Sequence, residues 1–263
     1  MIKKYTKNRE RLVKLLSASN GLISISDAAK ILDIPRDKAR SILWSMTKSG
    51  WIKSIKSGLY TVVPLEASSP SMSEENSFVV ANKLFPQCYI GGWNAANFWG
   101  FTDQLFASTW IMTTKNVTYK EQNAGNHAFI LTQIKPSYLF GTQTEWIQNT
   151  KVMISDPSKT LIDFLNFSES FSVSSMVDIF KAYVNSEHKN LALLKEYAIA
   201  TQNKSIFKRL GFLMERFLSS EKVFIDFCQQ NISKGYSAMS SLSKCDRIVT
   251  KWNIRIPSTF VEK

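Results

Sequence analysis

The chain has 263 residues, of which 44% are hydrophobic and 12% aromatic, so it is neither a disordered chain nor a disulfide-stapled mini-protein. Its length favours two domains. The net charge of +12 favours a partner that carries negative charge, and nucleic acid is the commonest partner of this kind.

Cysteine and histidine are too few and too scattered to predict a disulfide framework or a zinc site. The cysteines are Cys88, Cys228 and Cys245, and the histidines are His127 and His188. No cofactor and no metal are therefore expected. The basic N-terminus is not followed by the apolar segment of a signal peptide, and no apolar run approaches the roughly 18 residues that cross a bilayer. We expect a cytoplasmic protein without a membrane partner.

The positive charge is concentrated in residues 1–65, which we call the N-terminal module. This module contains thirteen lysines and arginines but only four acidic residues, so +9 of the net +12 lies in the first quarter of the chain. A charge cluster is often only a solvated surface. An asymmetry of this size nevertheless favours a module that binds an anionic partner.

The N-terminal module begins with a pattern typical of three helices. The first helix is predicted over residues 5–17, and a short second helix follows Ser24, a good N-cap. Pro35 is suited to open the third helix, which covers about residues 36–49 and stops at Gly50.

Two β-type runs complete the module, over residues 51–55 and 59–63, and predict a hairpin. Three helices, a short turn between the second and third, and a basic hairpin follow the order of a winged helix-turn-helix. In such a module the third helix can enter the major groove of DNA, where base edges are distinguishable, and the hairpin can contact phosphates. A winged helix that binds a protein is the alternative.

The third helix is expected to be amphipathic, with Ala39, Ile42, Leu43 and Met46 at the i, i+3, i+4, i+7 positions of a core face. Trp44 has two interpretations: it packs against the hairpin, or it lies against a sugar or a thymine methyl in the groove. The predicted DNA-contacting residues of the module are Lys7, Arg11, Arg36, Lys38, Arg40, Ser41, Trp44, Ser45, Lys48, Lys53 and Lys56.

A polar, aperiodic stretch over residues 66–73 predicts a linker. Residues 74–263 then form the C-terminal domain, in which Ser73 is expected to cap a helix that reaches Phe85. Gly91 and Gly92 precede another helix and match no phosphate-binding loop pattern. The part up to residue 166 is predicted as mixed α/β, with β-type runs at residues 109–113, 128–134, 138–140 and 151–154.

A further helix is predicted after Asp156, a natural N-cap, and Pro157, suited to the first helical position. Lys159 and Asp163 lie four residues apart and are expected to pair on the surface. A catalytic interpretation of Asp156, Lys159 and Asp163, as in a metal-dependent nuclease, lacks a second acidic residue paired with a lysine on a strand. No catalytic residue is therefore predicted.

Residues 167–263 are predicted to be mainly helical and to end in a strand at residues 252–257. The helices are expected at residues 176–183, 191–200, 206–217 and 223–228. Basic residues of this part define a candidate second DNA-facing surface, with simple solvation as the alternative: Lys204, Lys208, Arg209 and Arg216.

Taken together, these stretches resemble the AbiEi-type antitoxin family, the transcriptional-regulator half of type IV abortive-infection toxin–antitoxin pairs in bacteria. The N-terminal module carries part of the likeness. Four further motifs follow in family order: residues 89–100 (YIGGWNAANFWG), 154–163 (ISDPSKTLID), 209–215 (RLGFLME) and 251–255 (KWNIR). They are spread over nearly the whole chain.

The resemblance implies a repressor that binds double-stranded DNA at inverted repeats in the promoter of its own operon. It also implies that the C-terminal domain counteracts a nucleotidyltransferase-like toxin, so the candidate second surface is a candidate toxin surface as well. The resemblance supplies no catalytic residues, and Asp156 and Glu215 are expected to be structural. The alternative is a C-terminal enzyme that modifies the toxin or cleaves nucleic acid. Both a monomer in solution and a dimer on DNA are compatible with the sequence.

The sequence thus predicts an α+β protein: an N-terminal winged helix-turn-helix at residues 1–65, a linker at residues 66–73, and a larger mixed α/β C-terminal domain that ends in a helical segment.

Overall fold

The computed structural model of the chain describes residues 2–19, 21–62, 76–85 and 87–260. In these ranges the protein has a mixed α+β fold. Its α-helices are α1 (Ile2–Ala18), α2 (Ile25–Leu32), α3 (Arg36–Lys48), α4 (Ser77–Leu84), α5 (Gly92–Phe98), α6 (Pro157–Asn166), α7 (Val173–Asn185), α8 (Leu191–Ala200), α9 (Lys204–Phe217) and α10 (Lys222–Asn231). Its strands are β1 (Leu22–Ser24), β2 (Ile52–Lys56), β3 (Leu59–Val62), β4 (Cys88–Ile90), β5 (Ser108–Thr113), β6 (Glu121–Ala124), β7 (His127–Gln133), β8 (Thr142–Ile147), β9 (Thr150–Ser155), β10 (Ser237–Ala238), β11 (Arg247–Val249) and β12 (Ile254–Ile256).

The chain forms two compact units. The first unit comprises Met1–Cys88, Ala107–Gln133 and Thr144–Met153. The second comprises Tyr89–Phe106, Ile134–Gln143 and Ile154–Lys263. The first unit therefore continues past the N-terminal module, and the division into units does not coincide with the boundary expected from the sequence. The predicted linker at residues 66–73 lies outside the described residues.

The first three helices of the first unit share one core. The amphipathic pattern expected for α3 is confirmed, because Ala39, Ile42, Leu43 and Met46 are buried. The other buried members of this core are Leu15, Ile23, Ile25, Ala28 and Ile52. Burying one face of α3 leaves its opposite face in solvent.

Local hydrogen bonds set the ends of α2. The Ser24 hydroxyl accepts a bond from the Asp27 backbone N–H at 3.0 Å, and the Asp27 carboxylate accepts one from the Ser24 N–H at 3.3 Å. These two bonds form a capping box. Asp33 ends the helix in the left-handed region, with φ at 50°, and Pro35 precedes the first residue of α3. The three predicted helices and their short connection are confirmed.

A small antiparallel sheet lies beside these helices, with strand order β1-β3-β2. Leu22 pairs with Thr61, and Ile52 pairs with Val62. The predicted hairpin is confirmed as β2 and β3. The third strand, β1, was not expected, because a three-residue strand carries too little alternation to show in the sequence.

The rest of the first unit consists of α4 and strands of a larger sheet. The side chain of Asn76 caps α4 by accepting a bond from the Phe78 N–H at 2.9 Å, so the helix starts later than expected, and Ser73 lies outside the described residues. Strand β5 pairs with β7 in parallel, and β6 pairs with β7 antiparallel around Gly125, whose φ is 59°.

The larger sheet has the strand order β6-β7-β5-β4-β9-β8. The strands expected at residues 109–113, 128–134 and 151–154 are confirmed as β5, β7 and β9. The strand expected at residues 138–140 is wrong, because Pro136–Tyr138 forms a 3-10 turn. Proline has no N–H to give to a sheet and fits the first residue of a helical turn.

The second unit contains α6 to α10, which confirm the helices expected there. It ends in a second small sheet of order β10-β12-β11. The expected final strand is shorter than predicted, because Thr250–Trp252 forms a 3-10 turn and Asn253 adopts the left-handed region, with φ at 49°. Only Ile254–Ile256 pairs as a strand.

Candidate nucleic-acid interface

The solvent-facing side of α3 carries most of the predicted contact residues. Buried alanine and aliphatic side chains fix the rotation of the helix, so the polar positions point outward. Six of the predicted residues on this helix are exposed and Ser45 is half-buried; the exposed ones are Arg36, Lys38, Arg40, Ser41, Trp44 and Lys48. The structure therefore gathers one aromatic and four cationic side chains on one helix.

Trp44 is the large apolar side chain of this face, and 62% of it is exposed. Trp44 therefore does not belong to the buried core that the three helices share with the hairpin. Its ring lies 5.5 Å from the Lys48 ammonium nitrogen, measured to the ring centroid. An exposed indole beside a cation combines a flat apolar ring with positive charge, a pairing suited to stacking or apolar contact with a nucleic acid.

One acidic side chain interrupts the positive face. Asp37 is 96% exposed, and its carboxylate lies 4.0 Å from the Arg40 guanidinium. An ion pair this exposed contributes little stability. Arg40 can therefore leave Asp37 for a phosphate or a base edge at small cost.

The hairpin contributes two lysines in different environments. Lys53 is exposed on β2. Lys56 is half-buried, and its ammonium group donates a hydrogen bond to the Gln122 side-chain oxygen at 2.7 Å. The sequence grouped both as contact residues. Only Lys53 presents its charge to solvent without this engagement.

The two predicted residues of α1 also differ in exposure. Lys7 is exposed. Arg11 is half-buried and donates to the side-chain oxygen of Asn8, three residues earlier, at 3.3 Å. The predicted residues of this helix therefore supply positive charge, and neither of them is an apolar side chain.

The candidate second surface around α9 is corrected by the structure. Lys204 is exposed and Arg216 half-buried, but Lys208 and Arg209 are buried, at 1% and 6% exposure. Lys208 donates to the Gly235 carbonyl and to Ser237. The four basic residues therefore do not form one continuous surface.

Backbone carbonyls hold the buried Arg209 side chain inside the second unit. Its guanidinium donates to the carbonyls of Leu165 at 2.9 Å, Ala238 at 2.9 Å and Met239 at 3.1 Å. Burial lowers the pKa of this group to about 10, so it remains charged at neutral pH. All three guanidinium nitrogens donate to backbone carbonyls, which gives the buried cation hydrogen-bond partners.

The expected surface pair of Lys159 and Asp163 is also corrected. Both side chains are completely buried in the second unit. Asp163 accepts hydrogen bonds from the phenols of Tyr89 at 3.0 Å and Tyr138 at 3.1 Å, and Lys159 donates to the Tyr89 oxygen at 2.8 Å. We call these four residues the buried polar cluster.

Burial sets the ionisation of this cluster. It raises the pKa of the Asp163 carboxyl, a shift that Lys159 and the two phenols oppose, and it lowers the pKa of the Lys159 ammonium, a shift that Asp163 opposes. Burial and the Asp163 charge raise the pKa of both phenols well above the ordinary value. None of the four side chains is more than 8% exposed, so the cluster is sealed from any substrate in this conformation.

Asp156 and Glu215 are bonded to neighbouring side-chain and backbone groups. The Asp156 carboxylate accepts bonds from the Lys159 backbone N–H at 2.8 Å, as an N-cap, and from the Tyr197 phenol at 2.6 Å. Glu215 pairs with Lys251 and accepts a bond from the Trp252 indole N–H at 2.7 Å. Each carboxylate is thus engaged with neighbouring groups.

The described residues meet neither the requirements of a metal site nor those of a membrane-spanning helix. Within these ranges no three His, Cys, Asp or Glu side chains converge as metal ligands. Every helix there is too short or too polar to span a lipid bilayer.

Sequence reasoning missed Gln122, the partner of Lys56, because 66 positions separate the two residues. Gly125 followed by Asn126 is a typical turn pair, so the sequence could have predicted the β6–β7 hairpin. It could not have predicted that this hairpin lies beside Lys56. Neither a model of a known protein family nor any characterised protein sequence matches the chain.

Proposed function

We propose that the protein is a DNA-binding transcriptional repressor of its own operon and the antitoxin of a type IV toxin–antitoxin pair. The observation that carries the DNA-binding part is the solvent-facing side of α3, with Arg36, Lys38, Arg40, Trp44 and Lys48. Cations provide the attraction to phosphates, and a protruding helix can present arginines to guanine edges in the major groove.

The arrangement around α3 supports a winged helix-turn-helix. Helix α2 precedes it across a three-residue connection, and the β2–β3 hairpin follows it. In such modules the second helix braces the recognition helix, and the hairpin, or wing, reaches the DNA backbone. We assign α3 as the recognition helix and Lys53 as the wing residue that contacts phosphate.

The repressor and antitoxin roles draw their support from the sequence resemblance to the AbiEi-type family. Its repressors act at promoter inverted repeats, so the partner is double-stranded DNA. The toxin partner is nucleotidyltransferase-like. We propose that the part of the chain after the N-terminal module counteracts it.

The enzymatic alternative finds no support in the residues weighed for it. Lys159 and Asp163 are buried, and Asp156 is bonded to Tyr197 and to the backbone of α6. These groups hold the second unit together. We therefore propose that the protein is not an enzyme.

The DNA-binding proposal is tested with the double charge reversal Arg36→Glu and Arg40→Glu, assayed by mobility shift on a fragment of the chain's own promoter. Two lost base contacts correspond to about 30-fold weaker binding or more. The matched control is Lys222→Glu with Lys234→Glu, two exposed lysines of the second unit, which changes the net charge equally. Equal binding by a folded Arg36/Arg40 variant and the parent would show that α3 is not the recognition helix.

The antitoxin proposal is tested by co-expression with the neighbouring nucleotidyltransferase-like gene. The same Arg36/Arg40 variant is more informative than a truncated chain. Removing the N-terminal module would break two hydrogen bonds inside the first unit, from Lys56 to Gln122 and from Lys83 to Asp27. We expect the Arg36/Arg40 variant to rescue cells from the toxin while failing to repress. Cell death with a soluble, folded variant would mean that toxin control runs through DNA binding.

A further inference from the structure

The wing is held by residues far from it in sequence. The Lys56 ammonium donates to the Gln122 side-chain oxygen on β6 at 2.7 Å and lies 5.6 Å from the centroid of the Phe85 ring. Both partners belong to the first unit, as does the wing. The Lys56 ammonium therefore has two independent partners within the first unit.

The β6–β7 turn also passes close to the wing at this point. A Cβ built on Gly125, in the β6–β7 turn, would lie 3.4 Å from Cγ2 of Ile55. One methyl group added at Gly125 would therefore touch Ile55, the residue before Lys56. The β6–β7 hairpin, which also carries Gln122, therefore lies next to the strand that carries Lys56.

Lys53 provides the internal comparison. It lies on the same strand, three residues earlier, and is exposed. A lysine needs a free ammonium to neutralise a DNA phosphate and release a counterion. The two lysines of the wing therefore differ in their readiness for that contact.

We propose that Gln122 is a positioning residue that withholds the Lys56 ammonium from the DNA backbone, so that the wing meets phosphate through Lys53. This inference rests on the proposed DNA-binding function. Phosphate contacts add affinity without sequence information. Gln122 thereby limits the sequence-independent part of binding.

The first test requires no DNA. In the full chain, amine acetylation followed by mass spectrometry is expected to label Lys56 more slowly than Lys53. Gln122→Ala should accelerate labelling of Lys56 and leave Lys53 unchanged. The matched control is Asn123→Ala, which removes an exposed amide from the same strand. Unchanged Lys56 labelling in a folded Gln122→Ala chain would show that Gln122 does not hold the Lys56 ammonium.

The second test measures affinity for a random-sequence duplex against salt concentration. Release of Lys56 adds one phosphate contact, which steepens the slope of log K against log salt by about 0.9 and raises affinity roughly 3- to 10-fold near 0.1 M salt. The gain should vanish when Lys56→Ala is added to Gln122→Ala and persist when Lys53→Ala is added. An unchanged or shallower slope overturns the proposal.

The outcomes separate this inference from the proposed function. If the Arg36/Arg40 reversal abolishes promoter binding while Gln122→Ala leaves the salt slope unchanged, α3 remains the recognition helix and the role of Gln122 is wrong. If the Arg36/Arg40 reversal has no effect on promoter binding, the proposed function fails. The proposed role of Gln122 in DNA binding then fails as well, even if the labelling shows that Gln122 holds the Lys56 ammonium.

Discussion

Lys159 and Asp163 form an ion pair within one turn of α6, and neither side chain has any exposure to solvent. The two phenols of the buried polar cluster complete the partners of Asp163. Among the described residues no buried side-chain nitrogen or oxygen lacks a partner. Removing one partner of such a pair is strongly destabilising, since it leaves the other charge buried and uncompensated.

The first prediction concerns this pair. Lys159→Met or Asp163→Ala alone should lower the free energy of unfolding by about 3–5 kcal/mol. The double variant should lose less than the sum of the two, because neither charge is left without a partner. Urea denaturation of all three variants measures the coupling. Additive losses would show that the two groups do not depend on one another.

The second prediction concerns Gly211 on α9, which packs against the indole of Trp252. A Cβ at this position would lie only 2.7 Å from Cε3 of that ring and still closer to its neighbouring atoms. Gly211→Ala should therefore cost about 1–3 kcal/mol of stability through overpacking. Gly235→Ala is the control, because nothing lies within 4 Å of its Cβ position. Equal thermal midpoints for the two variants would exclude this close approach.

The third prediction separates structural from surface cations on α9. Arg209→Lys replaces a fork of donors with a single ammonium and leaves carbonyls unpaired, so we expect a loss of about 3 kcal/mol or more. Lys204→Ala removes an exposed charge and should change stability by no more than about 0.5 kcal/mol. Chemical denaturation distinguishes them. A stable Arg209→Lys chain with weakened DNA binding would restore this residue to a binding surface.

The fourth prediction concerns Trp44. Because most of the side chain is exposed, Trp44→Ala should leave the free energy of unfolding within about 0.5 kcal/mol but weaken promoter binding. Stacking on a base or contact with a thymine methyl is worth about 1–3 kcal/mol, which corresponds to roughly 5- to 150-fold in affinity. Trp44→Phe should recover part of the loss. Full affinity in the alanine variant would remove Trp44 from the interface.

The fifth prediction concerns Lys53. Its replacement by alanine should weaken binding to promoter and random duplexes by the same factor and flatten the salt slope by about 0.9, as the loss of one phosphate contact requires. Mobility shifts at several salt concentrations on both duplexes provide the measurement. A loss confined to the promoter would place Lys53 at a base edge.

The sequence alone predicted the helices well where their signals are local. Ser24 with Asp27 specifies the start of α2, Pro35 precedes α3, and the spacing of Ala39, Ile42, Leu43 and Met46 fixes which side of α3 is buried. The same rotation places the cationic face of α3 in solvent. These features follow from residues no more than one or two turns apart, so they can be read without knowing the rest of the chain.

Only the tertiary structure decided the environment of the other charged residues. Lys159 with Asp163 and Lys204 with Lys208 show the same four-residue spacing, yet the first pair is buried and Lys204 is exposed. Lys56 is engaged by Gln122, and Arg209 by carbonyls of Leu165, Ala238 and Met239. The partners lie 29 to 66 positions away, beyond any helical or strand period. Whether a charge meets solvent or a distant acceptor depends on how elements pack, and local periodicity carries no information about that.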